Sequence, residues 1–230
     1  TAAQTNLLLA EAALRGYIEQ YIASLPGDAK KKENYKNVAE RPTGTVVNKF
    51  TKKMETPKAI ARMYWYSTTA PYTLENSILA SAAGQVLSKL YLQKIREEAG
   101  AAYSAGAAGS VQMVGDRVFT TLLGHCPMKP EMADEAIKIM REEVVAISKS
   151  VDEATLNEIK AVMLKDADAA VKENSHWLGV YNMYVSRGID TETDYKNIVK
   201  SLTPAKVAAF VKNVILKAGN NVEVIMLPEK

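Results

Sequence analysis

From Leu74 to Leu90 apolar residues return at every fourth position, as Leu74, Ile78, Ala82, Val86 and Leu90 with Lys94 one step further, and Thr73 and Gly100 stand at the two ends of the stretch. A threonine hydroxyl accepts from the first free N–H groups of a helix, and glycine ends a helix at left-handed dihedrals. The spacing therefore predicts one long amphipathic helix over 73–100. Such a helix must bury its stripe against a second layer, and the flanking sequence supplies strands for it.

Before the helix, Thr45 to Thr51 and Ala59 to Ser67 read as strands; in the second, Ala61, Met63 and Trp65 share one face and Ile60, Arg62, Tyr64 and Tyr66 the other. After it, strands are expected over Ala102 to Met113 and Arg117 to Cys126, joined at Gly115-Asp116. The small-residue run with Gly106 and Gly109 fits either a close approach of another backbone or a flexible strand. Pro130 opens a helix with the stripe Met132, Ala136, Met140, Val144 and Ile147. Ser150 and Glu153 form a capping box for a further helix bearing Leu156, Ile159 and Met163. A polar break at Gly188 and Asp190 follows. Thr203-Pro204 then starts a last helix with Val207, Phe210, Val211 and Val214 on its apolar face, and Asn220-Asn221 turns the chain into a strand over Val222 to Leu227.

Strands paired through short turns imply antiparallel sheet, so the class is α+β: two layers, a mainly antiparallel sheet with the helices packed on one face. A doubly wound parallel sheet would need strict alternation of strand and helix. Ahead of this set, Leu7, Leu14, Ile18, Ile22 and Leu25 describe an amphipathic helix that stops at Pro26-Gly27 and has no neighbouring strands of its own. The expected organisation is a terminal helix of a preceding domain (1–26), a polar connector (27–42) and one complete domain (43–230).

Lysine and arginine total 29 against 26 acidic residues and are mixed with them along the helices, so no stripe calls for nucleic acid. The basic run Lys30 to Lys32 reads as part of the solvated connector. No apolar run reaches membrane-spanning length. Leu7 to Ala10 is too short for a signal peptide, and any targeting signal is expected upstream of Thr1. Cys126 stands alone and leaves the redox compartment open.

Chemistry-bearing residues are sparse. His125 and His176 are far apart and Cys126 lacks a partner, so a zinc site within the chain is not expected and His125 reads as packing. No G-x-S-x-G elbow, P-loop or dinucleotide fingerprint occurs. Glu97 and Glu98 point about 100 degrees apart on a helix and read as surface charge. What remains is Arg96 on the last helical turn and Tyr103 at the mouth of the next strand, two donors able to converge on one carbonyl or carboxylate. Their bland reading is a basic residue complementing a helix C-terminus and a tyrosine in a strand.

YIASLPG at Tyr21 to Gly27, TPKAIARMYW at Thr56 to Trp65, YTLENSILASAAGQVLSKLYLQKIREEAGAAYS at Tyr72 to Ser104, CPMKPE at Cys126 to Glu131, NSHWLGVYNMYVSRGID at Asn174 to Asp190 and SLTPAKV at Ser201 to Val207 run in one order. In that order they resemble the C-terminal, non-zinc half of the pitrilysin/insulysin-type zinc metallopeptidases, the inverzincins, which include the mitochondrial processing peptidases. The resemblance implies the LuxS/processing-peptidase-like fold. It also implies a zinc site on an H-x-x-E-H helix in a partner half, a motif this chain lacks, so the chain by itself should be inactive and hold neither metal nor cofactor. It implies a half that closes over the zinc-bearing half, whether in the same parent chain or a separate subunit, and helps orient a peptide for hydrolysis. The family's arginine and tyrosine, seven positions apart, fall on Arg96 and Tyr103. Two other roles stay open: an inactive scaffold subunit, and a module that binds an extended peptide on a sheet edge.

Overall fold

Five strands form: β1 (Thr45–Lys52), β2 (Ala59–Ser67), β4 (Arg117–Met128) and β5 (Asn220–Pro228), which carry β-branched or aromatic residues, and β3 (Gly106–Val114), whose first half is Gly, Ala and Ser. They appear in a computed structural model that describes residues 2–27 and 40–229. The chain divides into two units, Thr1–Glu40 and Arg41–Lys230. The first contains helix α1 (Ala2–Tyr21), whose Leu14 and Ile18 are exposed. The run Lys30 to Lys32 and the side chain of Leu7 lie outside the described residues.

In the second unit the sheet order is β1-β5-β2-β4-β3. All neighbours are antiparallel except β1 and β5, which run parallel from Thr45↔Asn221 to Lys52↔Pro228. One face carries the core. Ala59, Ala61, Met63 and Trp65 of β2 are buried there in one core with residues of α2 (Leu74–Tyr91), α3 (Ala133–Ile147), α4 (Glu153–Ala170), α7 (Pro204–Phe210) and the π-helical turn Val211–Leu216 that follows it; α5 (Asn174–Arg187) and α6 (Tyr195–Ser201) lie between α4 and α7 in the chain. On the other face Arg62 is exposed and Tyr64 half-buried.

Thr73 caps α2 by accepting from the Asn76 N–H at 3.0 Å, and Thr203 caps α7 with Pro204 at its first position, both as expected. The capping box at Ser150 is not formed. Asp152 caps α4, accepting from the Thr155 N–H at 2.7 Å, because a carboxylate directly before the first helical residue reaches that N–H without the intervening turn. The stripe of α2 also differs from the expected one. It runs through Ile78, Ala82, Ala83, Val86, Leu87 and Tyr91, while Leu74 and Leu90 are only partly buried. A helix of 3.6 residues per turn drifts about 40 degrees for each four-residue step, so a strict fourfold spacing walks off the buried face.

Where α2 crosses β3 the packing is backbone on backbone. A β-carbon on Gly84 of α2 would lie 2.1 Å from the Gly109 nitrogen, and one on Gly109 would lie 1.7 Å from the Ala80 carbonyl oxygen. Of the two readings of the glycine run in β3, close approach holds at Gly109. A second tie is ionic: Glu223 of β5, 2% exposed, accepts from Arg141 of α3 at Nε (2.9 Å) and at Nη2 (2.5 Å). That pairing holds the carboxyl below its ordinary range against the opposing effect of burial.

Gly84→Ala should cost about 3 kcal/mol of stability or more, read as a lower urea midpoint, because the contact is with main chain that cannot step aside. Glu223 has a depressed folded-state pKa, so its stabilisation is complete above the ordinary value of 4.5 and is lost as pH falls through the folded value. The difference in Tm between wild type and Glu223→Gln should therefore be largest near neutrality and shrink below about pH 4.

Candidate functional site

Past Tyr91 the helix α2 widens into a π-helical turn, Leu92–Glu98, closed by the Ala99 N–H on the Lys94 carbonyl at 3.0 Å. Wide turns of this kind are rare and tend to occur where a side chain is re-aimed for function. Three residues fix this one. The Tyr91 hydroxyl, fully buried, donates to the Met140 carbonyl at 2.8 Å; Lys94 Nζ reaches Glu143 at 2.6 Å; and Ile95 is 0% exposed. Lys94 thus leaves the apolar stripe to serve as an ionic tether to α3, and its hydrogen bond with Glu143 raises its pKa. Arg96, the next residue, is left on the outer side.

The chain then reverses at Gly100, whose φ of +61° is the left-handed terminator the sequence predicts. The Ala101 N–H closes on the Ile95 carbonyl at 2.9 Å, and the Ala101 carbonyl accepts from the Lys129 N–H at 3.0 Å. Ala101 and Ala102 are both buried, so the alternation of a strand is broken and β3 starts only at Gly106. Tyr103 therefore lies on the connecting loop rather than at the mouth of the strand. It is the first side chain to swing out, and it is 89% exposed.

The Arg96 guanidinium sits 5.6 Å from the centroid of the Tyr103 ring. At an exposed site such a cation–π contact is worth about 0.5–1 kcal/mol, enough to bias the two side chains together without locking them. No hydrogen bond or ion pair among the described residues uses the Arg96 guanidinium or the Tyr103 hydroxyl. Their donors remain available to an incoming acceptor. Tyr103 also forms one wall of a shallow cleft of about 800 Å³ at the end of the sheet, whose lining includes Pro57, Lys58, Met128, Lys129, Glu131 and Pro228. The sequence reading does not single out Lys58 or Lys129, because only strand register brings them together.

The other candidates do not assemble into a site. His125 lies opposite Arg62 across the β2–β4 ladder, and burial with that neighbouring charge lowers its pKa. Cys126 faces the core, where burial pushes its thiol up to about 11. His176 contacts Glu192 at 2.9 Å, and Glu97 and Glu98 are exposed. Among the described residues no group of three or more His, Cys, Asp or Glu is placed to hold a metal ion. No described helix is long and apolar enough to cross a membrane. A second cleft, about 370 Å³, lies on the open sheet face at the opposite end of β2. Its arginine, Arg41, is already engaged with the Thr121 hydroxyl at 3.1 Å and stacked 4.2 Å from the Phe119 ring centroid.

Residues 9–163 match the family model described as the peptidase M16 inactive domain. No curated protein sequence matches the chain. Among solved structures, the periplasmic protease PqqL from Escherichia coli superposes with a TM-score of 0.75 at 21% identity, covering 95% of this chain and 24% of that one. A protease from Helicobacter pylori gives 0.71 at 17% identity, covering 94% and 52%. The ferredoxin protease FusC, solved in complex with Arabidopsis ferredoxin, gives 0.70 at 18% identity, covering 94% and 24%. The chain thus spans about a quarter to a half of the length of these proteins.

Because Arg96 and Tyr103 are solvent-exposed, Tyr103→Phe should leave unfolding free energy within about 0.5 kcal/mol of wild type, and Arg96→Ala, which also loses the cation–π contact, within about 1 kcal/mol. Ile95→Ala, one residue away but inside the core, should lower it by about 3 kcal/mol in the same urea titration.

Proposed function

The chain belongs to the peptidase M16 inactive-domain family, and on that premise we propose that it is the substrate-closing part of a zinc metalloendopeptidase. A zinc-bearing half, in the same parent chain or a separate subunit, supplies the metal and the hydrolytic chemistry. In this arrangement α1 is the last helix of a preceding domain and residues 43–230 form the closing domain. This chain contributes two positioned donors to an unfolded or short peptide held between the halves.

The observation that carries the reading is the juxtaposition of an outward guanidinium on an anchored helix end and an outward phenol on the loop that follows it. The guanidinium presents a fork of N–H donors to a backbone carbonyl or a carboxylate of the peptide, which sets its register. The phenol donates one hydrogen bond to the carbonyl oxygen on which negative charge develops. A donor held at fixed geometry is worth most at that moment, since its orientation need not be reorganised during reaction. The anchors described above, Ile95, Tyr91 with Met140, and Lys94 with Glu143, hold the backbone that carries Arg96 in place; the Ala101 to Lys129 bond does the same for the loop of Tyr103.

The test combines this chain with its zinc-bearing half and follows cleavage of an unstructured peptide. Tyr103→Phe should lower kcat roughly a hundredfold, equivalent to about 3 kcal/mol, with KM little changed. Arg96→Ala should act mainly through KM, as loss of a contact made equally in bound substrate and transition state. Wild-type kinetics in both variants would reject both assigned roles and favour the scaffold reading.

A further inference from the structure

Strand register places lysines in a row across the sheet end that holds Tyr103. β1 and β5 pair through Lys52↔Pro228. Ile60↔Met226 and Ala59↔Met128 are the last pairs of β2 with its two neighbours, and continuing those registers sets Lys58 opposite both Pro228 and Lys129. Four adjacent chain segments thus present Lys52, Pro228, Lys58 and Lys129 side by side. The next row on the same face, two residues back along each strand, is Phe50, Met226, Ile60 and Pro127.

Like charges directly opposite across neighbouring strands repel, since their β-carbons are about 5 Å apart. Among the described residues none of Lys52, Lys58 and Lys129 takes part in an ion pair, and Arg96 adds a further unpaired cation beside Tyr103. The cleft lining contains one carboxylate, Glu131, against Lys58 and Lys129. Glu131 makes no ion pair with either lysine, so an anion placed between the members of the row would find their charge available.

We propose that this cationic row is a specificity element that favours peptides carrying an acidic side chain in the segment lying beside Tyr103. The neighbouring apolar row receives a hydrophobic side chain two positions along, because rows on one sheet face and same-side residues of an extended peptide share a spacing of about 6.8 Å. The inference rests on the reading of Tyr103 as a peptide-facing residue. It adds the chemical class of the peptide.

Two unstructured, fluorescently labelled peptides that differ only by Glu or Gln at one central position test it. By fluorescence anisotropy with the 230-residue chain in low salt, the Glu peptide should bind roughly threefold to tenfold more tightly than the Gln peptide. That preference should collapse in about 0.5 M salt and in the Lys58→Gln/Lys129→Gln variant, whose Tm should not fall, since it removes a repulsion. Equal binding of the two peptides by wild type, binding of neither, or a preference that survives the double substitution would overturn the proposal. In the assembled peptidase the same peptides separate this failure from that of the functional reading. Charge selection appears as the Glu to Gln ratio of kcat/KM within each variant, whereas Tyr103→Phe should lower both peptides alike.

Discussion

The second unit is organised around one contact that admits no side chain. Where α2 crosses β3, Gly84 and Gly109 let main chain meet main chain, and each missing β-carbon would otherwise overlap backbone atoms of the partner. The height of α2 above the sheet is set there. About three turns further along, the same helix delivers Ile95 into the core and Arg96 to its outer edge, so the position of the guanidinium follows from a distant glycine contact.

Helix α3 fixes what the glycines leave free. Through Arg141 it grips a buried carboxylate on β5, and through Glu143 it grips Lys94 at the end of α2. Two ion pairs made by residues two positions apart on one helix, each with one nearly buried member, hold the sheet and the site helix to a common rod. Removing one partner of such a pair is costly because the other charge stays behind without compensation. The helix end that carries Arg96 is therefore braced against rotation as well as against displacement.

Much of this was legible in the sequence, and what was not has identifiable causes. The buried face of β2, the Thr73 and Thr203 caps, the Gly100 terminator and the stripes of α3 and α4 follow from local periodicity and cap chemistry, which are short-range. The Asp152 cap was missed because two capping patterns overlap within four residues and only the realised backbone chooses between them. Tyr103 was placed at a strand mouth because Ala101 and Ala102 carry no signal that both would be buried side by side. The parallel pairing of β1 with β5, and with it the lysine row, was invisible because cross-strand register between segments more than 170 residues apart leaves no trace in local pattern. The pairing of Arg96 with Tyr103 was readable in the chain; the cleft beside them was not.

That parallel pair has a practical geometric outcome. Two adjacent strands running the same way begin together at Gly44 and Asn220 and finish together at Lys52 and Pro228, so both discharge the chain at the edge of the Tyr103 cleft. A bulky label grafted after Glu229 would hang across the mouth of that cleft. The same label in the Gly115-Asp116 hairpin would project from the far end of the sheet and leave that opening clear.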